Sequence, residues 1–219
     1  MSDIIQHHTS YRRSSASSSA AYSDTAEERK PEIGILALIE SAKAVTDLSS
    51  ICQATPLLSG LIFAAEDFAL DLSLIRTPSL NEFLYARSAL VTACRANKLP
   101  SVIDLVCTQY KGEQGEQALR QECLGGKQLG FNGKQLIHPN QVDVCEEAFS
   151  PSDDEVAWAL RIVRSNQLFA DQGRGAWALE GKMIDAPVIA KGRAILEKAN
   201  LCGKDIEAIE EGLNTEGPL

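Results

Sequence analysis

The stretch GFNGKQLIHPNQ at residues 130–141 decides the fold, because glycines and a proline bracket a short apolar run. Its two glycines permit tight backbone turns, and Pro139 removes a backbone donor and so ends an element. Residues 135–137 are therefore predicted to form a short buried strand. His138 would then stand at the C-terminal end of a strand, where parallel α/β folds build their ligand-binding face. For one isolated histidine we favour the alternative, a side chain that bonds to nearby backbone.

Three apolar runs upstream of this stretch have the length and composition of strands buried on both faces. They cover residues 33–39, 60–65 and 102–106. Helical patterns follow them at residues 43–54, 79–97 (with Ser79 as N-cap) and 113–128. Strands that alternate with helices at intervals of roughly 30 residues are typical of βα units in a parallel sheet. The chain is therefore predicted to be α/β.

A polar side chain ends each predicted strand: Glu40, Asp67, Asp104 and His138. The C-terminal ends of parallel strands share one face, so these groups are expected to lie together there. Glu40 and Asp67 end adjacent strands, and two carboxylates so close are stabilised by a cation between them. Mg²⁺ suits such a site, because it takes one or two carboxylates and leaves positions open to substrate oxygens. The residues alone favour equally the alternative that each carboxylate caps a helix or pairs with a surface lysine.

The composition excludes several classes of function. With 219 residues, 44% of them hydrophobic, the chain can form one domain with a core plus tails. No apolar run approaches the roughly 20 residues that span a bilayer. A formal net charge of −9 and scattered basic residues argue against nucleic acid and favour a small-molecule partner. The six cysteines form no C-x-x-C pair and are predicted to be small buried side chains in a reducing compartment.

The segments outside the predicted sheet complete the organisation of the chain. The serine-rich N-terminus has almost no large apolar residues and is predicted to be disordered. After the fourth strand we expect a helix to about residue 172, a β-like arm, and a last helix at about 188–199. The predicted segments are a tail or insertion remnant at 1–31, a principal domain at 32–172, a C-terminal arm at 173–200 and a mobile acidic tail at 201–219.

Several blocks of sequence together resemble one enzyme family. They are IESA at 39–42, EDF at 66–68, YAR at 85–87, ID at 103–104, GFNGKQLIHPNQ at 130–141, FSPS at 149–152 and GKMIDAP at 181–187. Their order and spacing closely resemble the citrate lyase beta-subunit-like proteins of the HpcH/HpaI aldolase superfamily, and within that group the citramalyl-CoA lyase type. The resemblance runs from about residue 33 to 198. It is specific because the His-Pro block and the Met-Ile-Asp block occur together.

The resemblance implies a TIM-barrel enzyme that uses Mg²⁺ to make or cleave a carbon–carbon bond between a 2-oxo acid and an acetyl-CoA enolate. Matched position by position, Glu40 and Asp67 correspond to the two metal-binding carboxylates. Asp185 corresponds to the acid of the C-terminal arm, which in relatives reaches a neighbouring subunit's site in a trimer and acts as general acid or base. These assignments are consistent with the chemistry of the reaction, because a bound cation offsets the developing negative charge and a carboxylate removes or returns the proton.

The resemblance also concerns other residues, partners and location. It implies that Lys134 and His138 fix loop geometry or contact the CoA, and that Arg87, at a recurrent family position, is structural. Acyl-CoA and 2-oxo acid are the implied partners, and a homotrimer is the implied assembly. The implied location is mitochondrial, or cytoplasmic if Met1 is the start codon in use.

The sequence also departs from the family pattern. Family members carry four further strands before the one that ends in Glu40, with an Asp-Leu-Glu-Asp block and a substrate-binding arginine that this sequence lacks. The chain thus corresponds to strands five to eight of the barrel plus the arm, with two open sheet edges. Ala64 and Leu105 replace family glycines and would crowd the cofactor.

Three explanations follow from this departure. We favour an incomplete gene model or splice product of a full lyase. The alternatives are a non-catalytic half-barrel that binds another half, and a pseudoenzyme that retains metal or CoA binding.

Overall fold

The structure is a computed structural model that describes residues 33–170, 177–179 and 182–215. The chain divides into two compact units, Met1–Cys145 and Glu146–Leu219, and each is described by itself. The boundary lies earlier than residue 172, where the sequence analysis ended the principal domain. Within the described ranges, no helix combines the length and apolar character needed to cross a bilayer.

The first unit is built on a four-stranded sheet in the order β1-β2-β3-β4. Each neighbouring pair of strands is parallel, so every connection must return over the sheet. The predicted α/β class is therefore confirmed. The strands are β1 (Ile35–Ile39), β2 (Leu58–Phe63), β3 (Ser101–Asp104) and β4 (Gly133–Lys134).

Helices occupy each connection and follow the last strand. They are α1 (Ala42–Thr46), α2 (Leu48–Cys52), α3 (Ala65–Leu72), α4 (Leu84–Ala96), α5 (Gly112–Leu129) and α6 (Val142–Phe149). Two short 3₁₀ turns, Asn81–Phe83 and Pro139–Gln141, precede α4 and α6. The helix expected over 43–54 is thus two short helices, which meet at Asp47.

Three local predictions in this unit were wrong. Ser79 is not the N-cap of α4, because Leu80 precedes the 3₁₀ turn with a left-handed φ of 54°. Asp67 does not end a strand but lies in the first turn of α3. The fourth strand is not 135–137, because β4 ends at Lys134 and the backbone nitrogen of Ile137 donates to the Gln141 side chain (3.0 Å) instead of a neighbouring strand.

Three phenylalanines form the aromatic core beside the end of β2. Phe63 on β2, Phe68 on α3 and Phe83 in the 3₁₀ turn are buried, and their ring centroids are 5.4–6.4 Å apart in edge-to-face arrangements. Such pairs add about 0.5–1.5 kcal/mol each to the free energy of area burial. This cluster therefore fixes α3, and with it Asp67, against the end of β2.

A buried ion pair joins α4 to the end of β3. Arg87 Nε donates to Asp104 Oδ1 (3.0 Å) and Arg87 Nη2 donates to Oδ2 (2.6 Å). The two side chains are 6% and 0% exposed. Gly126 on α5 leaves room for this pair, because a Cβ there would lie 2.6 Å from Asp104 Oδ2. Asp104 therefore faces the helices and not the ligand-binding face, and Arg87 has the structural role expected of it.

The second unit contains three helices and a hairpin. They are α7 (Asp153–Ala170), the antiparallel strands β5 (Trp177–Leu179) and β6 (Lys182–Ile184), α8 (Ala186–Leu201) and α9 (Ile206–Thr215). The structure thus contains the hairpin and last long helix that were expected of the arm. Residues 206–215 differ from the mobile tail expected at 201–219, because Ile206, Ile209 and Leu213 pack against a core that includes Val156 and Leu160.

Replacing Arg87 with methionine is expected to lower the free energy of unfolding by about 3–5 kcal/mol, because it leaves the Asp104 carboxylate buried without its partner. Urea denaturation measures the loss. Arg95→Met on the same helix is the control, since Arg95 is exposed and donates only to the Gly130 carbonyl oxygen. It should cost no more than about 1 kcal/mol. Equal losses in the two variants would show that the buried pair does not stabilise the fold.

Candidate functional site

Glu40 follows β1 on a segment whose backbone is firmly held. Next to it, the Ser41 hydroxyl caps α1 by accepting from the Ala44 nitrogen (3.2 Å). The Ala42 nitrogen donates to Asp71 Oδ2 on α3 (2.7 Å), which ties the start of α1 to α3. Glu40 itself is exposed, and its carboxylate forms no hydrogen bond or ion pair with any described residue. The fold thus fixes the chain beneath this carboxylate and leaves the carboxylate itself available.

Asp67 is placed beside the same sheet edge by the pairing of β1 with β2. The last residues of these strands, Ile39 and Phe63, are register partners, and α3 begins two residues after β2 ends. Asp67 is exposed and, like Glu40, has no protein partner within the described ranges. Its neighbour Glu66 is instead bound by Arg76. Two adjacent acids in one helical turn therefore have different surroundings.

The donor set offered by Glu40 and Asp67 fits a hard divalent cation. Glu66 and Asp71, the other acids of this region, each have one carboxylate oxygen engaged, by Arg76 and by the start of α1 respectively, so they are not equivalent candidates. Over the described part of the chain, no cluster of three or more His, Cys, Asp or Glu residues could hold a metal. A cation here would be held by two carboxylates, with the remaining positions open, which is the coordination that Mg²⁺ commonly takes in proteins.

Lys134, expected to fix loop geometry or contact the CoA, is buried at the end of β4. Its side chain is 0% exposed, and Nζ lies 2.9 Å from Glu122 Oε2 on α5. The orientation of the two groups does not meet hydrogen-bond geometry, so the contact is an ion pair whose Nζ still lacks a hydrogen-bond partner. A contact with CoA would require the lysine to leave this pair, and that role stays a prediction.

His138 takes the geometry of a structural residue. It is the N-cap of the second 3₁₀ turn, where Nδ1 accepts from the Asn140 nitrogen (3.2 Å). Its ring stacks on Tyr110, with 5.1 Å between centroids and 21° between planes. The neighbouring Gln141 is buried and donates to the Cys107 carbonyl oxygen (3.0 Å). The His-Pro block thus joins the loop after β4 to the loop after β3.

Asp185 belongs to the second unit, whereas Glu40, Asp67, Lys134 and His138 belong to the first. It is the N-cap of α8, and its Oδ1 accepts from the Val188 nitrogen (3.2 Å). This bond fixes the carboxyl group at the junction between β6 and α8. Its second oxygen has no hydrogen-bond partner among the described residues.

The family model for HpcH/HpaI aldolase/citrate lyase matches residues 3–139 of this chain. The chain belongs to this family. The match includes both carboxylates of the candidate site, and it begins inside the segment that the sequence analysis assigned to a tail or insertion remnant. The family resemblance inferred from the sequence blocks is therefore confirmed.

Relatives and solved structures agree with this membership. The citrate lyase subunit beta of Escherichia coli strain K12 is 37% identical over 170 residues, which cover 78% of this chain and 55% of that protein. The mitochondrial citramalyl-CoA lyase of Homo sapiens is 30% identical over 165 residues, which cover 72% and 47%. The CitE protein of Mycobacterium tuberculosis in complex with magnesium, acetoacetate and coenzyme A superposes with a TM-score of 0.65 at 27% identity, covering 76% of this chain and 61% of that one. The chain spans about half the length of the curated relatives it matches.

Three buried cysteines of this family member, Cys94, Cys107 and Cys123, have a raised pKa. Burial, with a smaller contribution from Cys52, raises the pKa of Cys94 to about 11. Burial also raises the pKa of Cys107, and a hydrogen bond with Cys145 together with burial raises that of Cys123. A raised pKa keeps a thiol protonated at neutral pH, and the thiolate is the nucleophile. The prediction of buried cysteines is confirmed for all but Cys202, which is exposed.

Sequence reasoning missed Arg76, the residue that connects the candidate site to the rest of the sheet. It lies in the loop after α3 and contacts Glu66, Glu122 and the Val106 carbonyl oxygen. The available signal was weak, because an arginine in a polar loop is usually a solvated surface residue. Only its position between two acids distant in sequence shows its role.

Proposed function

We propose that this chain supplies the metal-binding part of a Mg²⁺-dependent carbon–carbon lyase that cleaves a 3-hydroxyacyl-CoA thioester, such as citramalyl-CoA or malyl-CoA. The products are acetyl-CoA and a 2-oxo acid. The observation that carries the proposal is the contrast among the acids beside β1 and β2. Among the residues that the structure describes, Glu40 and Asp67 have no protein partner, whereas Glu66 and Asp71 each accept a hydrogen bond at one oxygen. We assign the four strands to positions five to eight of a TIM barrel.

The relatives support this choice of chemistry. They are named citrate lyase subunit beta and citramalyl-CoA lyase, and the superposed CitE protein holds magnesium, acetoacetate and coenzyme A. Since the chain spans about half of these relatives, we assign it the metal-binding part of the reaction and not the whole activity.

In the proposed reaction, Glu40 and Asp67 hold the cation through carboxylate oxygens and keep its other positions open to substrate. Bound Mg²⁺ supplies Lewis-acid polarisation of the substrate oxygen that becomes the 2-oxo acid carbonyl. During cleavage the hydroxyl group would lose its proton to the Asp185 carboxylate, the carbon–carbon bond would break, and Asp185 would return that proton to the enolate carbon to give acetyl-CoA. We assign both proton transfers to Asp185, which acts first as general base and then as general acid.

The surroundings of Asp185 suit a group that must be held in one orientation. Its N-cap bond to the Val188 nitrogen occupies Oδ1. The other oxygen remains for the proton that is transferred. By resemblance, this carboxyl group would serve the site of a neighbouring subunit in a trimer. The trimer and a mitochondrial location stay predictions.

Asp67→Ala is expected to abolish Mg²⁺ binding, because it removes one of only two carboxylate ligands. Isothermal titration calorimetry with Mg²⁺ measures the change. Asp143→Ala is the matched control, since Asp143 is another exposed aspartate in the first turn of a helix. That variant should bind like the wild type. Unchanged binding by Asp67→Ala would remove this residue from the metal site.

Turnover is expected to need more chain than these 219 residues. We expect Mg²⁺-dependent release of acetyl-CoA from citramalyl-CoA or malyl-CoA when the chain is extended upstream of Met1 in the same reading frame. The 219-residue chain should show little or none, because a half-barrel leaves substrate groups uncovered. Chromatographic detection of acetyl-CoA, with and without EDTA, measures this. Inactivity of both forms towards both substrates would contradict the lyase assignment.

A second candidate function is suggested by the edge of the sheet. Among the described residues β1 pairs with a strand on one side only, and Ile35 and Leu38 are 44% and 49% exposed. An exposed apolar edge strand is a template for pairing with another chain. The chain could thus act as a half-barrel interaction protein that associates through β1, with or without retained metal or CoA binding.

This second function predicts association that depends on the edge of β1. Light scattering after size-exclusion chromatography should show an oligomer that Leu38→Lys converts to monomer, because the charge would have to be buried at the new strand pair. Leu70→Lys, on the exposed side of α3, is the control and should leave the oligomer intact. A monomer at every concentration tested would contradict association through β1.

A further inference from the structure

We propose that Arg76 is a positioning residue that holds the first turn of α3, and so Asp67, in the geometry that binds the cation. This inference rests on the proposed metal site and goes further, because it names the residues that make the site rigid. Arg76 does not need to touch the cation or the substrate. It would act through Glu66, the residue next to Asp67.

Arg76 makes contacts with three groups of the first unit. Its Nη1 donates to Glu66 Oε1 on α3. Its Nη2 donates to Glu122 Oε1 on α5 (2.9 Å) and to the Val106 carbonyl oxygen in the loop after β3 (3.0 Å). The side chain is only 17% exposed. One guanidinium group therefore joins the start of α3 to two other elements of the first unit.

Glu122, which binds Arg76 on the side away from Glu66, is largely buried and contacts buried Lys134. Glu122, which is 14% exposed, uses its second oxygen to contact Nζ of the fully buried Lys134 at the end of β4. The order Glu66, Arg76, Glu122, Lys134 thus alternates in charge, and we call these residues the charge chain. Burial would lower the pKa of Arg76, but the hydrogen bonds and charges of Glu66 and Glu122 outweigh it and raise that pKa. Arg76 therefore stays charged at neutral pH, as an arginine ordinarily does.

The backbone beside Arg76 is also held. The Thr77 nitrogen donates to Glu82 Oε1 (2.5 Å), and the Thr77 hydroxyl donates to Glu82 Oε2 (2.8 Å). This pair of bonds closes the loop between α3 and the following 3₁₀ turn. The arginine thus extends from a fixed backbone, which is what a side chain needs if it is to position another element.

Glu66, at one end of the charge chain, lies in the first turn of α3, which has no side-chain N-cap. The N-cap position of α3 is Ala64, which has no side chain that can accept a hydrogen bond from the first turn. Asp67 has no protein partner among the described residues. Its position therefore depends on the backbone of the first turn, which is packed on its apolar side through Phe68 and is held on its polar side by the Glu66–Arg76 contact. Residues that orient metal ligands in this way commonly affect metal affinity by about 10–100-fold.

The direction in which Mg²⁺ affinity changes when Arg76 is replaced distinguishes a positioning role from a purely electrostatic one. Arg76 is positive, so if it acted only through space its removal would strengthen the binding of a cation. Positioning predicts the opposite. Arg76→Gln should weaken Mg²⁺ binding by about tenfold or more, and Arg76→Lys, which keeps the charge but loses the forked contacts, should weaken it as well.

The experiment measures Mg²⁺ affinity by isothermal titration calorimetry for the wild-type chain, Arg76→Lys, Arg76→Gln and a control, Lys43→Gln. Lys43 pairs with Asp47 on the exposed surface of α1, so its loss should leave the affinity unchanged. Hydrogen exchange of the amides at residues 65–69 gives a readout that needs no metal. It should be faster in both Arg76 variants, whereas exchange in α4 should match the wild type if the variants are folded.

The outcomes distinguish the two proposals. If the wild-type chain binds no Mg²⁺, the metal site fails and the inference fails with it. If the wild type binds Mg²⁺ and Arg76→Lys binds equally well, only the positioning role is overturned. Tighter binding by Arg76→Gln, or unchanged exchange at residues 65–69, would also overturn it.

Discussion

The buried ion pair between Arg87 and Asp104 is the interaction on which the first unit depends. Asp104 ends β3, receives two hydrogen bonds from α4, and has its space beside α5 preserved by Gly126. Its backbone carbonyl oxygen also accepts from the Gln135 nitrogen just after β4 (3.0 Å). A buried carboxylate without a partner is strongly destabilising, so the register of α4, β3, α5 and β4 must satisfy this one group. The sheet that presents the candidate site is built on that requirement.

The acids near the sheet divide into two kinds, and the division follows from their surroundings. Asp104 and Glu122 are largely or fully buried and carry matched cationic partners, because a buried charge must be paired. Glu40 and Asp67 are exposed, and water stabilises their charges without any protein partner. Only the second kind can exchange water for a cation without breaking a contact of the fold. The same residue type thus stabilises the interior in one place and remains available for chemistry in another.

The sequence predicted the features that depend on local pattern. Continuous apolar runs identified β1, β2 and β3 as strands of a parallel sheet. Burial on both faces holds for most of β2, whereas on β1 only Ile39 is buried. The sequence could not show which way a strand-end acid points, so Asp104 was grouped with the ligand-facing acids although Arg87 turns it toward the helices. It also missed that 135–137 is a loop, since the bond from Ile137 to the Gln141 side chain depends on tertiary position. The candidate ligands Glu40 and Asp67 can be predicted because they follow adjacent apolar runs, whereas Arg76 makes its contacts with residues 10 and 46 positions away in sequence.

The two candidate metal ligands, Glu40 and Asp67, need a rigid backbone beneath them, and the charge chain contributes to that rigidity at Asp67. A site that binds a cation through only two exposed carboxylates gains little from each contact in water, since both ligands must give up hydration. Its affinity therefore depends on how little conformational freedom the ligands lose on binding, which is the general benefit of preorganisation. The backbone beside Glu40 is preorganised by the Ser41 cap of α1 and by the hydrogen bond from the Ala42 nitrogen to Asp71. Asp67 has no equivalent cap, because Ala64 occupies that position. Phe68 packs the apolar side of the same turn, and Arg76, anchored through Glu122 to buried Lys134, is placed to restrain its polar side.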